Sequence, residues 1–153
     1  MGAIMLGGER YSVERFVAAQ DADGSYDQAV AELRQGRKSG HWIWYVFPQI
    51  AGLGSSPMSA EFSIRSLDEA KAYLRHPVLG PRLGEVTRIV GQTRGRTAEQ
   101  IFGTLDAMKL RSSMTLFHRA APEDPDFVAV LDLYFGGEPD PATDRLLADQ
   151  LLG

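Results

Sequence analysis

Capping residues recur along this chain immediately ahead of apolar residues spaced three and four apart, a combination that marks helix starts over and over. Ser12 precedes Val13, Phe16 and Val17, and Ser25 with Gln28 forms a capping box ahead of Tyr26, Ala29, Val30 and Leu33. Gly36 supplies the left-handed turn that closes this second helix. Ser66 to Glu69 is another box, leading into Ala70, Tyr73 and Leu74 and halted by His76-Pro77. A longer helix is expected from Pro77 to Val90, with Leu79, Leu83, Val86, Ile89 and Val90 on one stripe. Thr97 to Gln100 repeats the box before Ile101 and Phe102, and Thr104 stands where it would cap a helix carrying Leu105, Met108, Ser112, Thr115 and Leu116 on its apolar side. Asp124-Pro125 and Asp140-Pro141 each join an acidic cap to a proline in the first turn. Phe127, Val130, Leu131 and Tyr134 follow the first, and Leu146, Leu147 and Leu151 follow the second. The expectation is a mostly α fold, a single compact domain over residues 1–153 built from about seven short helices.

Residues 41 to 50 fit this pattern least. Both tryptophans of the chain, Trp42 and Trp44, fall there with His41, Tyr45 and Phe47, directly behind Arg34, Arg37 and Lys38. Alternating aromatic and β-branched residues suit a strand, but one short strand has no evident partner, so the segment is expected to be helical. Residues 51 to 58 read as a loop, with Gly52 and Gly54 letting its backbone approach another group.

Composition narrows the function. A formal charge of −4 and a pI near 5.3 argue against broad binding to duplex nucleic acid, although a local basic patch can still hold one anionic group. The chain has no cysteine, which removes thiolate nucleophiles and thiolate metal sites and fits a reducing cytoplasm. Met1 to Gly8 lacks the basic opening and apolar run of a signal peptide, and no segment approaches a membrane span, so a cytoplasmic protein that engages no membrane is expected. His41, His76 and His118 show no metal-ligand spacing, and no Walker loop, serine-hydrolase elbow or dinucleotide fingerprint is present; neither metal nor cofactor is expected.

The run Ser39-Gly40-His41-Trp42-Ile43-Trp44-Tyr45-Val46-Phe47-Pro48-Gln49, followed by Gly52-Leu53-Gly54-Ser55, resembles a bacterial family catalogued as domain of unknown function 1810. Ser66 to Ala70 with Tyr73-Leu74, His76 to Gly80 with Arg82-Leu83, and Lys109 to Phe117 agree with it too. Members are sometimes labelled calpastatin-like, but nothing in these residues supplies a physical reason for calpain inhibition. The resemblance implies a helical fold and transfers no activity.

The residues themselves point to anion binding. Lys109, Arg111, Ser112, Ser113 and Thr115 lie within seven positions of one predicted helix: a mobile point charge, a planar fork and short hydroxyl donors. Lys109 and Ser113 are expected to face a cleft. Trp42 or Trp44 would stack on a planar ring, with Gln49 and Ser55 adding polar contacts. His41 and Glu61 are the candidates for orienting or activating the ligand, Glu61 because a carboxyl at an aromatic pocket mouth is partly desolvated. The first expectation is therefore a domain that binds an anionic nucleotide-like small molecule between residues 41–55 and 109–115, with hydrolysis of a glycosidic or phosphate link as the reaction class if it is an enzyme. The second is a noncatalytic protein-interaction module, with a homodimer as one form, whose aromatic surface meets a protein.

Overall fold

Pro48 governs how the aromatic run folds. A proline disfavours helical backbone in the residue before it, and Phe47 stands at φ −124°, ψ 73°. The helix expected over 41 to 50 is therefore cut to the four residues Ile43–Val46, after which the chain runs extended into an isolated parallel bridge between Ile50 and Ile64. Ile64 N donates to Gln49 O and Ala51 N to Ile64 O, both at 2.7 Å. These bonds pin the exit of the run to the segment behind the glycine loop.

The computed structural model describes residues 12–152. The opening Met1 to Gly8 segment lies outside the described residues, as do the ends of the 1–153 span. Among the described residues the chain forms α1 (Glu14–Asp21), α2 (Ser25–Arg34), α3 (Ile43–Val46), α4 (Pro57–Phe62), α5 (Leu67–Arg75), α6 (Leu79–Gln92), α7 (Ala98–Phe102), α8 (Thr104–Ala120), α9 (Pro125–Phe135) and α10 (Pro141–Leu152). This is more than the approximately seven expected, and one of the additional helices, α4, forms because the loop expected over 51 to 58 stops early. Ser56 caps α4 by accepting from Ser59 N at 3.1 Å, with Pro57 in the first turn.

The capping signals divide by geometry. Ser66, Thr97 and Asp124 accept amide hydrogens of their own first turns as expected, and Thr97 with Gln100 closes a full reciprocal box. Ser12, Ser25 and Thr104 do not. Val13 occupies the cap position of α1. Gly24 and Gly103, both at positive φ, take the caps of α2 and α8 and push Ser25 and Thr104 into the first turn. Ser25 Oγ then lies 2.6 Å from the Tyr45 hydroxyl, and Gln28 donates to Glu32 instead of closing a box.

Helix α8 runs through the middle, touching α3, α5, α7, α9 and α10. Its buried stripe is Ala107, Leu110, Met114 and Phe117, and the Phe117 ring lies 5.3 Å from Tyr73 and 5.8 Å from Phe127. That stripe sets the rotation of the helix. Leu105 and Met108, expected on the core side, are consequently turned outward, 71 % and 63 % exposed. One hydrophobic core cluster links the helices from Val13 to Leu131. No described helix is long and apolar enough to cross a membrane.

Candidate functional site

Three separate stretches meet beside the first turns of α8. The loop from Gln49 to Ser56 forms one wall, the outward face of α8 with Leu105, Met108, Lys109 and Ser112 forms the second, and Asp140 with Ala142 at the start of α10 forms the third. They enclose a cavity of about 560 Å³. Each wall is held locally. A Cβ on Gly54 would lie 2.7 Å from Ser59 Oγ and 3.3 Å from its Cβ, so a larger residue there would force Ser59 to turn aside where the loop meets α4. Asp140 Oδ2 accepts from Ser112 Oγ at 2.8 Å and Thr143 Oγ1 at 2.6 Å, and Asp140 N donates to Thr115 Oγ1 at 2.9 Å, which ties the start of α10 to α8.

Trp44 lines the cavity with its ring half buried, and Lys109 Nζ stands 4.8 Å from the ring centroid. A cation over an indole face is attracted by the ring quadrupole, so the lysine is held in place while keeping donors open. Behind it, Asp106 joins two lysines: Oδ2 is 2.7 Å from Lys38 Nζ and Oδ1 is 3.4 Å from Lys109 Nζ. The Lys38 side chain is only 6 % exposed, and its ammonium stands 5.0 Å from the Trp42 ring and also donates to Gly40 O. The spacing of 38, 42, 44, 106 and 109 in sequence hides a small alternating lattice of cations, rings and one carboxylate.

Of the residues singled out from sequence, Trp44, Gln49, Ser55, Lys109 and Arg111 border this cavity. Gln49 and Ser55 make no side-chain hydrogen bond among the described residues, whereas Arg111 spends Nε and one terminal nitrogen on Glu138 O at 2.9 Å and Pro139 O at 3.0 Å. Trp42, named with Trp44 for stacking, is a correction. It is 1 % exposed and donates its indole hydrogen to Glu32 Oε1 at 2.9 Å, so neither ring face is open to a ligand. Ser113 is a second correction: it is fully buried on the core side of α8, with no partner for Oγ among the described residues.

The two activating candidates lie elsewhere. His41 is exposed and borders none of the hollows described here. Glu61 is exposed at a different hollow of about 430 Å³, beside Asp23, Ser25, Tyr45 and Phe62. Neither reaches the Lys109 cavity. Another hollow of about 560 Å³ gathers Arg34, Arg94 and Arg96 at the ends of α2 and α6, where Arg94 donates to Gly91 O at 2.7 Å and so serves as a helix terminator.

Sequence reasoning missed Asp106 as the partner of both lysines, Asp140 as the hinge of the third wall, and the apolar rim made by Leu105 and Met108. The rim was detectable. Phasing α8 on Ala107, Leu110, Met114 and Phe117 leaves 105 and 108 facing out. The Asp106–Lys109 pair was detectable as an i,i+3 pair on one helix, but the other carboxylate contacts were not, since they cross 68 residues from Lys38 to Asp106 and 28 from Ser112 to Asp140.

The fold is shared. The conserved hypothetical protein Rv1873 from Mycobacterium tuberculosis, known from a crystal structure at 1.38 Å, is 54 % identical, and the match covers 91 % of this chain and 98 % of that one with a TM-score of 0.88. No protein of curated function matches the chain. The family model described as protein of unknown function, DUF1810, matches residues 10–147, and the chain belongs to that family.

Proposed function

We propose that this protein binds an anionic, ring-containing small molecule of the nucleotide type in the cavity between the 49 to 56 loop and α8. The observation that carries the reading is the placement of Lys109 Nζ 4.8 Å over Trp44 on the wall of a hollow of about 560 Å³. That volume lies within the ~300–1,000 Å³ usual for small-molecule sites, and an apolar wall with a few convergent polar groups is their usual composition. Trp44 offers ring surface, Lys109 the counter-charge, and Gln49 and Ser55 side chains with unspent hydrogen-bonding capacity.

Binding is favoured here over hydrolysis. His41 and Glu61, the two residues available for acid and base work, stand away from this cavity, and the carboxylate that does border it, Asp140, is engaged as a helix cap. Without a free base beside the ligand, a hydrolytic step lacks its proton acceptor. We further read the chain as one domain on the strength of its continuous core, and as cytoplasmic, a compartment with which its cysteine-free composition is compatible.

Thermal shift and calorimetry against nucleosides and nucleotides test the reading, with Lys109→Ala and Trp44→Ala as controls. A hit in the micromolar range that both variants weaken about tenfold or more supports it. Silence across the panel removes it.

A second reading has its own observation. Leu105 and Met108 expose large apolar side chains at the rim of the cavity, which suits a protein partner or a second copy of the chain. Sedimentation showing a monomer at all concentrations, together with no change on Leu105→Ser/Met108→Ser, counts against the copy.

A further inference from the structure

We propose a second anion site, separate from the Lys109 cavity: the hollow at the C-terminal ends of α2 and α6 takes a compact, multiply charged oxyanion of the pyrophosphate or tricarboxylate kind.

Two short arginine-bearing stretches meet there. Arg34 closes α2, Arg94 and Arg96 follow α6, and all three border a hollow of about 560 Å³. Gly36 permits the approach. It is buried at φ +75°, and a Cβ on it would fall 3.2 Å from Arg96 Nε, so the Arg96 side chain lies directly against bare backbone.

Helix C-termini ordinarily present unpaired carbonyls, which repel an anion. Here those carbonyls are already covered. At α2, Ala31 O, Glu32 O and Leu33 O accept from the amides of Gln35, Arg37 and Gly36. At α6, Ile89 O accepts from Thr93 Oγ1, Val90 O from Thr93 N and the Tyr134 hydroxyl, and Gly91 O from Arg94 Nη1. The guanidinium groups therefore set the local potential.

Most of their donors are unspent. Arg94 is fixed through Nη1 to Gly91 O at 2.7 Å and Thr93 O at 3.1 Å, which leaves Nε and Nη2 free to face an occupant. Arg96 makes no side-chain hydrogen bond or ion pair among the described residues, and Arg34 meets only Glu85, at 3.8 Å between two exposed side chains. Glu85 is itself an acceptor for the Tyr26 hydroxyl. Setting that one carboxylate against three arginines leaves two positive charges in excess. Other acidic groups close in sequence do not reduce it: Glu32 is committed to Trp42, Ser39 and Gly40, Asp126 pairs with Arg88 at 3.3 Å, and Glu99 makes no ion pair with Arg96 among the described residues.

The form of the occupant follows. Planar guanidinium forks match phosphate and carboxylate oxygens alike. Among the described residues that line the hollow none is aromatic, so it offers no ring surface for a base. A formal charge of −4 on the whole chain disfavours a long polyanion running out of the hollow across the rest of the surface.

Calorimetry in about 0.15 M salt with pyrophosphate, citrate, sulfate and a short oligothymidylate tests the site. Pyrophosphate or citrate should bind about tenfold or more tightly than sulfate, and the tighter of the two identifies phosphoryl or carboxyl groups as the source of the charge. Arg34→Gln and Arg96→Gln, both at exposed side chains, should each weaken that binding about tenfold, while Lys109→Met leaves it unchanged. Sulfate equal to both probes, or silence from both, overturns the proposal. So does binding lost on Lys109→Met and kept in the arginine variants, which would place the anion in the other cavity. An oligothymidylate that binds more tightly than either small anion overturns the compact occupant and gives the surface to a nucleic-acid strand.

Discussion

Trp42 Nε1 donates to Glu32 Oε1 at 2.9 Å, and the same oxygen accepts from Ser39 N at 2.8 Å and Gly40 N at 2.9 Å. One carboxylate oxygen on α2 thus gathers the whole entry to the aromatic run. The indole is an anchor that orients the strand of chain carrying Trp44 toward the cavity.

This gathering makes stability depend on pH. Burial alone would push the Glu32 carboxyl up, but the hydrogen bonds from Gly40, Ser39, Gln28 and Trp42 outweigh it and bring it down to about 2. A depressed folded-state value means the contribution is complete above the unfolded value near ~4.3 and is lost as pH falls from about 5 toward about 2. Its size is on the order of 3 kcal/mol. Thermal melts of the wild type should lose stability across that window, and Glu32→Gln should flatten the loss; a wild-type profile parallel to that of the variant would show that another carboxylate controls it.

Asp106 and Lys109 should separate cleanly in stability. Asp106→Asn leaves Lys38 enclosed with its charge unpaired, at a cost of about 3 kcal/mol. Lys109→Met removes a longer contact at 3.4 Å from a side chain one-fifth exposed, and should cost under about 1 kcal/mol. Urea unfolding of the two variants measures the difference. Equal losses would make Lys109 a structural lysine and weaken its assignment to a ligand.

Gly80 sits in the first turn of α6 against the end of α5, where a Cβ would fall 2.1 Å from Leu74 O. Backbone cannot yield there as a flexible side chain would. Gly80→Ala should destabilise by about 2–4 kcal/mol through forced separation of the two helices. A melting temperature within a degree or two of wild type would mean the α5 to α6 turn opens freely.

Asp140→Ala removes the acceptor shared by Ser112, Thr143 and the first amides of α10, for a loss of about 2–3 kcal/mol. Hydrogen exchange should accelerate across residues 141–152 before the rest of the molecule. Uniform acceleration along the chain would indicate that α10 and the core unfold together.

Much of the fold could be read directly from residues. The caps at Ser66, Thr97 and Asp124 and the left-handed glycine at 36 bound helices where expected, because capping is settled within a few residues of chain. Errors arose where two local signals competed. Gly24 displaced Ser25 and Gly103 displaced Thr104, since a residue at positive φ starts the turn one position earlier than the hydroxyl could. Pro48 outweighed the helical tendency of 41 to 47 for an equally local reason, and was legible.

The site was half legible. Residue types identified Lys109, Trp44, Gln49 and Ser55 as candidates, but they could not say which tryptophan would be sealed. Trp42 and Trp44 are two residues apart on one helical turn, so their side chains leave in different directions, and only the position of Glu32 on α2 decides which direction is the interior.

By itself the sequence determined an α-helical chain, its principal helix boundaries and its supply of anion-binding and aromatic groups, because these follow from caps, periodicity and composition. Tertiary structure alone decided the sharing of Asp106 between Lys38 and Lys109 and the meeting of three distant segments around one hollow. Those outcomes depend on contacts between residues tens of positions apart, which form only when the core stripe of each helix has found its partner.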